Sequence, residues 1–340
     1  MSIDIHRRLL LTVLLTMSAS MILRATTSLA QSVNIDAAKK EGKVILYGTV
    51  VPQAMEPLFS AFAKKYGIKV EYWRASANGV VERAASEWRA GRPGFDAVEG
   101  NPGLNLTLKQ EGALARYVAP SSEKFPDAFK DKDSVLIPWR LIPISILYNT
   151  ELVKPTERPR SLDDFIDPKW KGKLSMPSPL QHAETTQWLW NLPKVRAGHW
   201  LDFAKAVAKQ EPLMVESFAP VPNKLISGEA LIGIGYIKYL KQYKGPLGYA
   251  LLDKHLTDPN IISLGSKAAN PNAARLYIEF LCSSEGQKLV AAQGEFSLFP
   301  GVNPPIDDAA RVVATSVLMD RPTPEEFKKL NAELRPVFFK

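Results

Sequence analysis

The stretch KVILYGTVVPQAMEPLFSAFAKKYG, residues 43–67, decides the fold. It begins with a continuous apolar run, Val44 to Tyr47, of the kind found in strands that are buried on both faces. Apolar residues then recur at helical spacing from Pro52 to Tyr66, and Gly67 supplies a helix stop. A buried strand followed at once by an amphipathic helix predicts layered α/β architecture.

The same alternation repeats twice more toward the C-terminus. Lys69 to Trp73 reads as a strand and Ala77 to Ala90 as a helix. Phe95 to Val98 reads as a third strand, and a turn then leads to a helix that runs through Gln110. Three consecutive β-α units predict a parallel sheet with right-handed crossovers.

The middle of the chain predicts a crossing into a second lobe. Two apolar strands are predicted, Val135 to Trp139 and Ile144 to Asn149, separated by residues 140–143. A second α/β pattern follows, and a helix with an asparagine cap begins at Asn270-Pro271. A chain of 340 residues also exceeds what one hydrophobic core usually serves. We therefore expect lobe 1 to span residues 31–140, lobe 2 residues 141–255, and residues 256–340 to return mainly to lobe 1.

The first thirty residues are predicted to be a signal peptide. Arg7 and Arg8 give a positive start, and the apolar run Leu9 to Leu23 is shorter than the roughly 20 residues that span a bilayer. Small residues at Ser28 and Ala30 favour cleavage before Gln31. The sequence therefore predicts export to the periplasm by the general secretory route, and the arginine pair leaves a twin-arginine route open.

The composition limits the kinds of partner that the chain is expected to bind. The formal net charge of +8 is scattered without a run of five basic residues, so we expect no nucleic-acid partner, while attraction for small anions stays open. The single cysteine, Cys282, excludes an intramolecular disulfide and a cysteine zinc site, and its position predicts burial on a helix. We expect a monomer that needs no cofactor.

Six segments resemble the extracellular solute-binding proteins of ABC importers, in the branch that takes ferric ion, thiamine and polyamines. The matching segments are Val44 to Thr49, Phe95 to Gly103, Ile146 to Leu152, Leu162 to Met176, Ser227 to Tyr236 and Asn270 to Gln287. The resemblance implies a periplasmic-binding-protein-like α/β fold, in which two lobes joined by hinge strands close on a small ligand. The hinges would lie near Pro138 to Leu147 and near Tyr249 to Leu264, and the partner would be a membrane permease.

Seven residues are predicted to contact the ligand, because they follow strands and precede helices. Helix N-termini at such positions carry free amide donors that hold carboxylates and phosphates. The resemblance supports the segment from 178 to 186 and Tyr236 in particular. The seven are Gly48, Thr49, Asn101, Ser178, His182, Ser217 and Tyr236. An ordinary turn, cap or packing role is the competing interpretation for each of them, and it is preferred for Ser76 and Asn78 as helix caps.

The ligand itself is left open between an anion and ferric ion. Ferric-binding members of the resembled family carry two adjacent tyrosines, because hard Fe(III) favours phenolate oxygen. This chain has Tyr236 and Tyr239 separated by two residues, with Lys238 between them. No metal is therefore expected unless both tyrosines are iron ligands. We expect a small anionic or carboxylate-bearing solute, delivered to an ABC permease.

Enzyme signatures are absent from the sequence. It has no Gly-x-Ser-x-Gly elbow, no phosphate loop ending in Gly-Lys-Ser/Thr and no His-Glu-x-x-His helix. His182 and Glu184 are two apart, which points them to different sides of a predicted helix. We expect no catalytic residues, although a secreted hydrolase or lyase on the same fold is the remaining alternative.

Overall fold

The structure of the protein is a computed structural model that describes residues 33–339. The predicted signal peptide at residues 1–30 lies outside the described residues. No helix within residues 33–339 is long and apolar enough to cross a membrane.

Strands and helices alternate along the described chain. The strands are β1 (Lys43–Gly48), β2 (Lys69–Arg74), β3 (Ala97–Gly100), β4 (Leu114–Ala115), β5 (Ile137–Asn149), β6 (Leu174–Pro177), β7 (Leu213–Val215), β8 (Ile232–Tyr236), β9 (Leu247–Tyr249), β10 (His255–Gly265) and β11 (Ser316–Leu318). The helices are α1 (Ile35–Glu41), α2 (Pro52–Tyr66), α3 (Ala77–Arg89), α4 (Pro102–Gln110), α5 (Ala183–Asn191), α6 (Trp200–Lys209), α7 (Val221–Ile226), α8 (Tyr239–Gln242), α9 (Pro271–Cys282), α10 (Ser284–Ala292), α11 (Ala309–Ala314) and α12 (Pro324–Phe338). Short 3-10 turns cover Pro120–Lys124, Asp127–Phe129, Pro155–Glu157, Asp163–Ile166, Pro168–Trp170 and Leu192–Lys194.

The strands follow the order β2-β1-β3-β10-β5-β8-β6-β7, with β4, β9 and β11 attached at the sides. β1 is parallel to β2 and β3, which confirms the parallel sheet expected from the first three β-α units. β10 is antiparallel to both β3 and β5, so the sheet is mixed. In the second half of the order, β6 is parallel to β7 and β8.

The main hydrophobic cluster of each lobe defines that lobe, and a third cluster, around Tyr47, Val80 and Phe95, also packs in the first lobe. The first surrounds residues such as Phe62, Trp139 and Phe296, under β1 and the helices α2 and α9. The second surrounds residues such as Trp188 and Phe203, under β8 and the helices α5 and α6. The predicted two-lobed α/β fold is therefore confirmed.

Strand β5 corrects one prediction. The sequence predicted two strands separated by residues 140–143, but a single strand runs from Ile137 to Asn149. The interruption is missing because Arg140 to Pro143 pair with β10, and Leu141 also bonds Phe296. From Ile144 onward the same strand pairs with β8 instead. Proline lacks an N–H, so Pro143 falls at the point where the strand changes partner.

β5 and β10 are the strands that run through both lobes. Leu256 at the start of β10 belongs to the second core, while Ile262 and Leu264 belong to the first. Both strands coincide with the segments predicted as hinges, and hinge motion in them remains a prediction.

The last helix departs from the expected division of the chain. Residues 256–340 were assigned mainly to lobe 1, but α12 packs against α6 and α5 of the second lobe. Leu330 and Leu334 of α12 are buried in the second core, as is Met319 just before it. The cause is an amphipathic face on α12 whose partner lies far away in sequence.

Local signals place most element boundaries. α2 begins and ends at the predicted residues, and Gly67 ends it in the left-handed conformation at φ 73°. β3 starts two residues later than expected, at Ala97. α6 starts at Trp200, because the His199 side chain accepts from the Leu201 N–H at its N-terminus. Cys282 is a free thiol, fully buried at the end of α9, as predicted.

Candidate ligand-binding cleft

The N-termini of α3 and α4, which follow β2 and β3, lie beside one another. A cavity of about 470 Å³ opens there. It is lined by Ala77, Asn78, Val81 and Glu82 of α3, by Asn101, Gly103, Leu104 and Thr107 at α4, and by Arg321. This volume is within the usual range for small-molecule sites.

Both helix N-termini are capped by the residues that sequence reasoning singled out. The Ser76 hydroxyl accepts from the Gly79 N–H at 3.2 Å, which confirms its predicted role as a cap. The Asn101 side chain accepts from the Leu104 N–H at 2.9 Å and also lines the cavity. α4 begins with Pro102, which has no N–H, so the N–H groups that neither a helix nor a cap uses belong to Ala77, Asn78 and Gly103 and give the cavity wall a partial positive charge.

Arg321 reaches this cavity from the segment that precedes α12. Its Nη2 lies 2.6 Å from Oδ2 of Asp258 on β10. The neighbouring Asp320 is held to α5, since its N–H donates to Oδ1 of Asn191 at 2.7 Å. A Cβ placed on Gly103 would lie 3.3 Å from Nη1 of Arg321. The guanidinium is therefore anchored on the second lobe and faces the α4 N-terminus of the first.

The predicted pair Gly48 and Thr49 lies beside a buried carboxylate. Glu99 is fully buried and accepts from the N–H groups of Thr49 at 2.6 Å and Val50 at 2.8 Å. The Tyr72 hydroxyl donates to the same carboxylate at 2.7 Å. A Cβ on Gly48 would lie 2.1 Å from Oε1 of Glu99, so glycine makes room for that side chain. The Glu99 carboxylate thus accepts the hydrogen bond of the Thr49 amide, which was expected to bind the ligand.

The second lobe brings three of its predicted site residues close together. The ring of His182 packs on Phe218 at 5.0 Å between centroids, and Phe218 packs on Tyr236 at 4.8 Å. Ser217, directly before Phe218, is partly buried beside them. Burial lowers the pKa of His182 to about 4, so this imidazole is neutral at physiological pH.

Ser178 lies under this cluster. Its N–H donates to the Val215 carbonyl at 2.8 Å, and its own carbonyl accepts from the His182 N–H at 2.9 Å. The Ser178 hydroxyl is buried and has no hydrogen-bond partner within residues 33–339.

Glu184 belongs to the same cluster, contrary to the prediction that it points away from His182. His182 precedes α5 in an extended conformation, so the helical spacing rule does not apply to it. The Tyr236 hydroxyl donates to the Glu184 carboxylate. Burial raises the pKa of Glu184, against the opposing effects of Tyr236, Arg321 and Lys238. Burial also raises the pKa of Asp258 to about 7, and Arg321 opposes that rise.

Lys238 is directed toward the hinge strand. Its ammonium lies 3.0 Å from Oε1 of Glu295, a carboxylate that is 4% exposed, and Nη1 of Arg140 on β5 lies 2.6 Å from the same oxygen. The ammonium also lies over the Tyr236 ring, 5.5 Å from its centroid. Although burial opposes it, Arg140 and Lys238 together hold the pKa of Glu295 below its usual value. The group therefore ties the second lobe to the hinge.

The two tyrosines of the iron alternative are neighbours, with 5.3 Å between the ring centroids of Tyr236 and Tyr239. Burial raises the pKa of both phenols, and this arrangement keeps them protonated. Within residues 33–339, no group of three or more His, Cys, Asp or Glu side chains is placed to hold a metal ion.

The sequence predicted one residue of the cavity wall, Asn101, but not the arginine that lines it, Arg321. Asn101 was predicted, and Asn78 was assigned to capping although it lines the cavity. Arg321, Asp258 and Glu184 were not predicted as site residues. Arg321 stands in the loop just before α12, and the packing of α12 brings it to the cleft.

A two-lobed α/β molecule with a polar cavity at the lobe boundary has the architecture of the clamshell solute-binding proteins. The chain belongs to the bacterial extracellular solute-binding protein family, whose sequence profile matches residues 58–314.

The similar proteins include relatives in sequence and solved structures. A protein of Salmonella typhimurium with the provisional name 2-aminoethylphosphonate-binding periplasmic protein is 32% identical over 128 residues, which are 38% of this chain and 36% of that protein. The chain thus matches 36% of the length of this relative.

Solved structures match over more of the chain. The substrate-binding protein of an ABC transporter from Agrobacterium tumefaciens gives a TM-score of 0.72 at 17% identity, over 87% of this chain and 94% of that chain. A Bordetella ferric binding protein gives a TM-score of 0.68 at 20% identity, over 87% and 98%. At these identities the likeness shows the fold.

Proposed function

We propose that this protein captures a small solute bearing a carboxylate or phosphonate group in the cleft between its lobes. It then hands the solute to the membrane permease of an ABC importer. The solute is released unchanged, since the protein acts by binding and not by catalysis. The site of action is the periplasm, which the chain reaches after cleavage of its signal peptide at residues 1–30.

The observation that carries this proposal is the wall of the 470 Å³ cavity. The N-termini of α3 and α4 and the Arg321 guanidinium all line it. Aligned amide donors stabilise an anion, and a guanidinium forms paired hydrogen bonds with carboxylate and phosphonate oxygens. The provisional name of the Salmonella relative, which mentions a phosphonate, is consistent with an acid group in the solute.

Isothermal titration calorimetry with small carboxylates and phosphonates tests the acid site. The variant Arg321→Gln is expected to weaken binding of the best solute by about tenfold to a hundredfold, the usual worth of a hydrogen bond to a charged group. Arg321→Lys should restore part of the affinity, because it keeps the charge. Arg311→Gln, which removes an exposed arginine 3.9 Å from Asp253, is the control and should bind as the wild type does.

Unchanged affinity in Arg321→Gln would contradict the assigned site. Recovery of the solute after incubation distinguishes receptor from enzyme, because a hydrolase or lyase would return a product. Ferric ion belongs in the same screen, and a visible phenolate-to-iron colour with no binding of any acid would favour the iron alternative.

A further inference from the structure

Glu184 is a carboxylate with few direct partners at the inner side of the cleft. The Tyr236 hydroxyl is its hydrogen-bond donor, and no other side chain within residues 33–339 donates to it. Glu184 is partly buried, and burial raises its pKa. A carboxylate has about four acceptor sites, so one phenolic donor leaves most of them open to a ligand.

The cations near Glu184 are bound to other carboxylates. Arg321 is paired with Asp258 at 2.6 Å, and Lys238 is paired with Glu295 at 3.0 Å. Glu295 also holds Arg140 at 2.6 Å. None of these cations forms an ion pair with Glu184 at contact distance.

These six side chains form what we call the boundary cluster: Arg140, Lys238, Arg321, Glu184, Asp258 and Glu295. With all six ionised, its three cations balance its three carboxylates. A ligand that brings only an acid group would add an unbalanced negative charge to a poorly hydrated region, which is costly. A ligand that carries one ammonium and one singly ionised acid group would leave the balance unchanged.

We propose that the solute is zwitterionic, with its ammonium group held by Glu184 and its acid group directed toward Arg321 and the N-termini of α3 and α4. This inference rests on the proposed function and names the class of its solute. Arg321 lines the cavity, and Glu184 shares one face of α5 with Gln187 and Asn191. Those two side chains donate to the Asp320 carbonyl at 3.2 and 3.0 Å, so this face of α5 lies against the segment that carries Arg321. Tyr236 orients the Glu184 carboxylate through its hydroxyl.

Calorimetry with two matched pairs of probes tests the inference. Each pair keeps the acid and removes the amine: 2-aminoethylphosphonate against ethylphosphonate, and β-alanine against propionate. The wild type is expected to bind the amine-bearing member of at least one pair about tenfold to a hundredfold more tightly. Glu184→Gln should remove most of that preference. Glu151→Gln, which removes a carboxylate from an exposed position, is the control and should keep the preference.

The possible outcomes are distinct. Equal binding within the pairs by the wild type overturns the zwitterion inference and leaves the proposed function standing. The inference is also overturned if Glu184→Gln binds the amine-bearing probe as tightly as the wild type does. If no acid in the wider screen of carboxylates and phosphonates binds, the acid site fails, and the proposed function and this inference fall together. The wild-type comparison needs no variant, so a misfolded Glu184→Gln does not spoil the test.

Discussion

At the scale of single residues, the cleft is built around buried charges that the chain itself compensates. Glu99 accepts two backbone amides and a tyrosine hydroxyl, and Gly48 is required because its neighbour Glu99 fills the space where a Cβ would stand. This contact fixes the end of β1 against β3. It also occupies the amides of Thr49 and Val50, which are therefore not free to bind a ligand.

Gly48→Ala is expected to destabilise the protein. The added Cβ would lie 2.1 Å from Oε1 of Glu99, and overpacking of this kind costs about 1 to 3 kcal/mol. Urea unfolding measures the change in free energy. Gly79→Ala serves as the contrast, because Gly79 lies within α3 and its added Cβ would come no closer than 3.2 Å to a neighbour. An alanine there should be neutral or stabilising by up to about 1 kcal/mol. Equal stability of Gly48→Ala and the wild type would contradict the described contact.

His255 gives the protein a predicted loss of stability in acid. Burial lowers its pKa to about 4, against about 6.5 in the unfolded chain, so the unfolded state binds more protons between these values. Stability therefore falls as the pH drops from about 6.5 toward 4, by up to about 3 kcal/mol from this residue. Asp258 acts in the opposite sense, because its raised pKa makes stability fall as the pH rises from about 4 to 7.

Comparing variants isolates the contribution of His255 to the loss of stability in acid. His255→Asn should show a shallower decline of the melting temperature between pH 6.5 and 4.5 than the wild type. His199→Asn, at an exposed helix cap that asparagine also satisfies, is the matched control and should retain the wild-type decline. If His255→Asn declines as steeply as the wild type, His255 is not buried in its neutral form.

At the scale of elements, α12 is the helix whose position changes the site most. Thr323 and Glu326 form a capping box at its start, and Leu334 is fully buried against the second core. Because α12 packs on α5 and α6, the loop before it carries Arg321 into the cleft. The cleft therefore depends on a helix that contributes no residue to the cavity wall.

Leu334→Ala is expected to destabilise the second lobe. Removing a fully buried leucine costs about 2 to 5 kcal/mol, depending on how far the site collapses. Hydrogen exchange should show faster exchange in α6 and α5 than in α2 and α9 of the first lobe. Leu152→Ala, at a residue that is 53% exposed, is the control for the loss of leucine and should leave exchange unchanged. Loosening confined to the first lobe would contradict the packing of α12.

The elements also show what could be predicted from the sequence. Strong local signals placed α2 at its observed ends, since an amphipathic period and a terminal glycine act within the helix itself. The break expected at residues 140–143 did not occur, because pairing with β10, more than a hundred residues away, continues the strand. Asn101, predicted as a ligand contact, caps α4 and lines the cavity. Arg321 was not predicted, because its position depends on long-range packing and leaves no local pattern.

At the scale of the whole molecule, two lobes are joined by β5 and β10 and meet at a cluster of balanced charges. Lys238 ties the second lobe to Glu295 at the hinge, and Arg321 faces the first lobe from the second. Hinge closure around a ligand is a known behaviour of such architectures. An acid-bearing solute at the cavity would contact both lobes and favour the closed arrangement.

The structure of the complex with the tightest-binding acid tests this account most directly. The account predicts that the acid group lies in the 470 Å³ cavity, within hydrogen-bond distance of Arg321 and of the first amides of α3 and α4. It also predicts an ammonium group against Glu184. A solute bound elsewhere would contradict the account. Ferric ion bound in this cleft by Tyr236 and Tyr239 would contradict it as well.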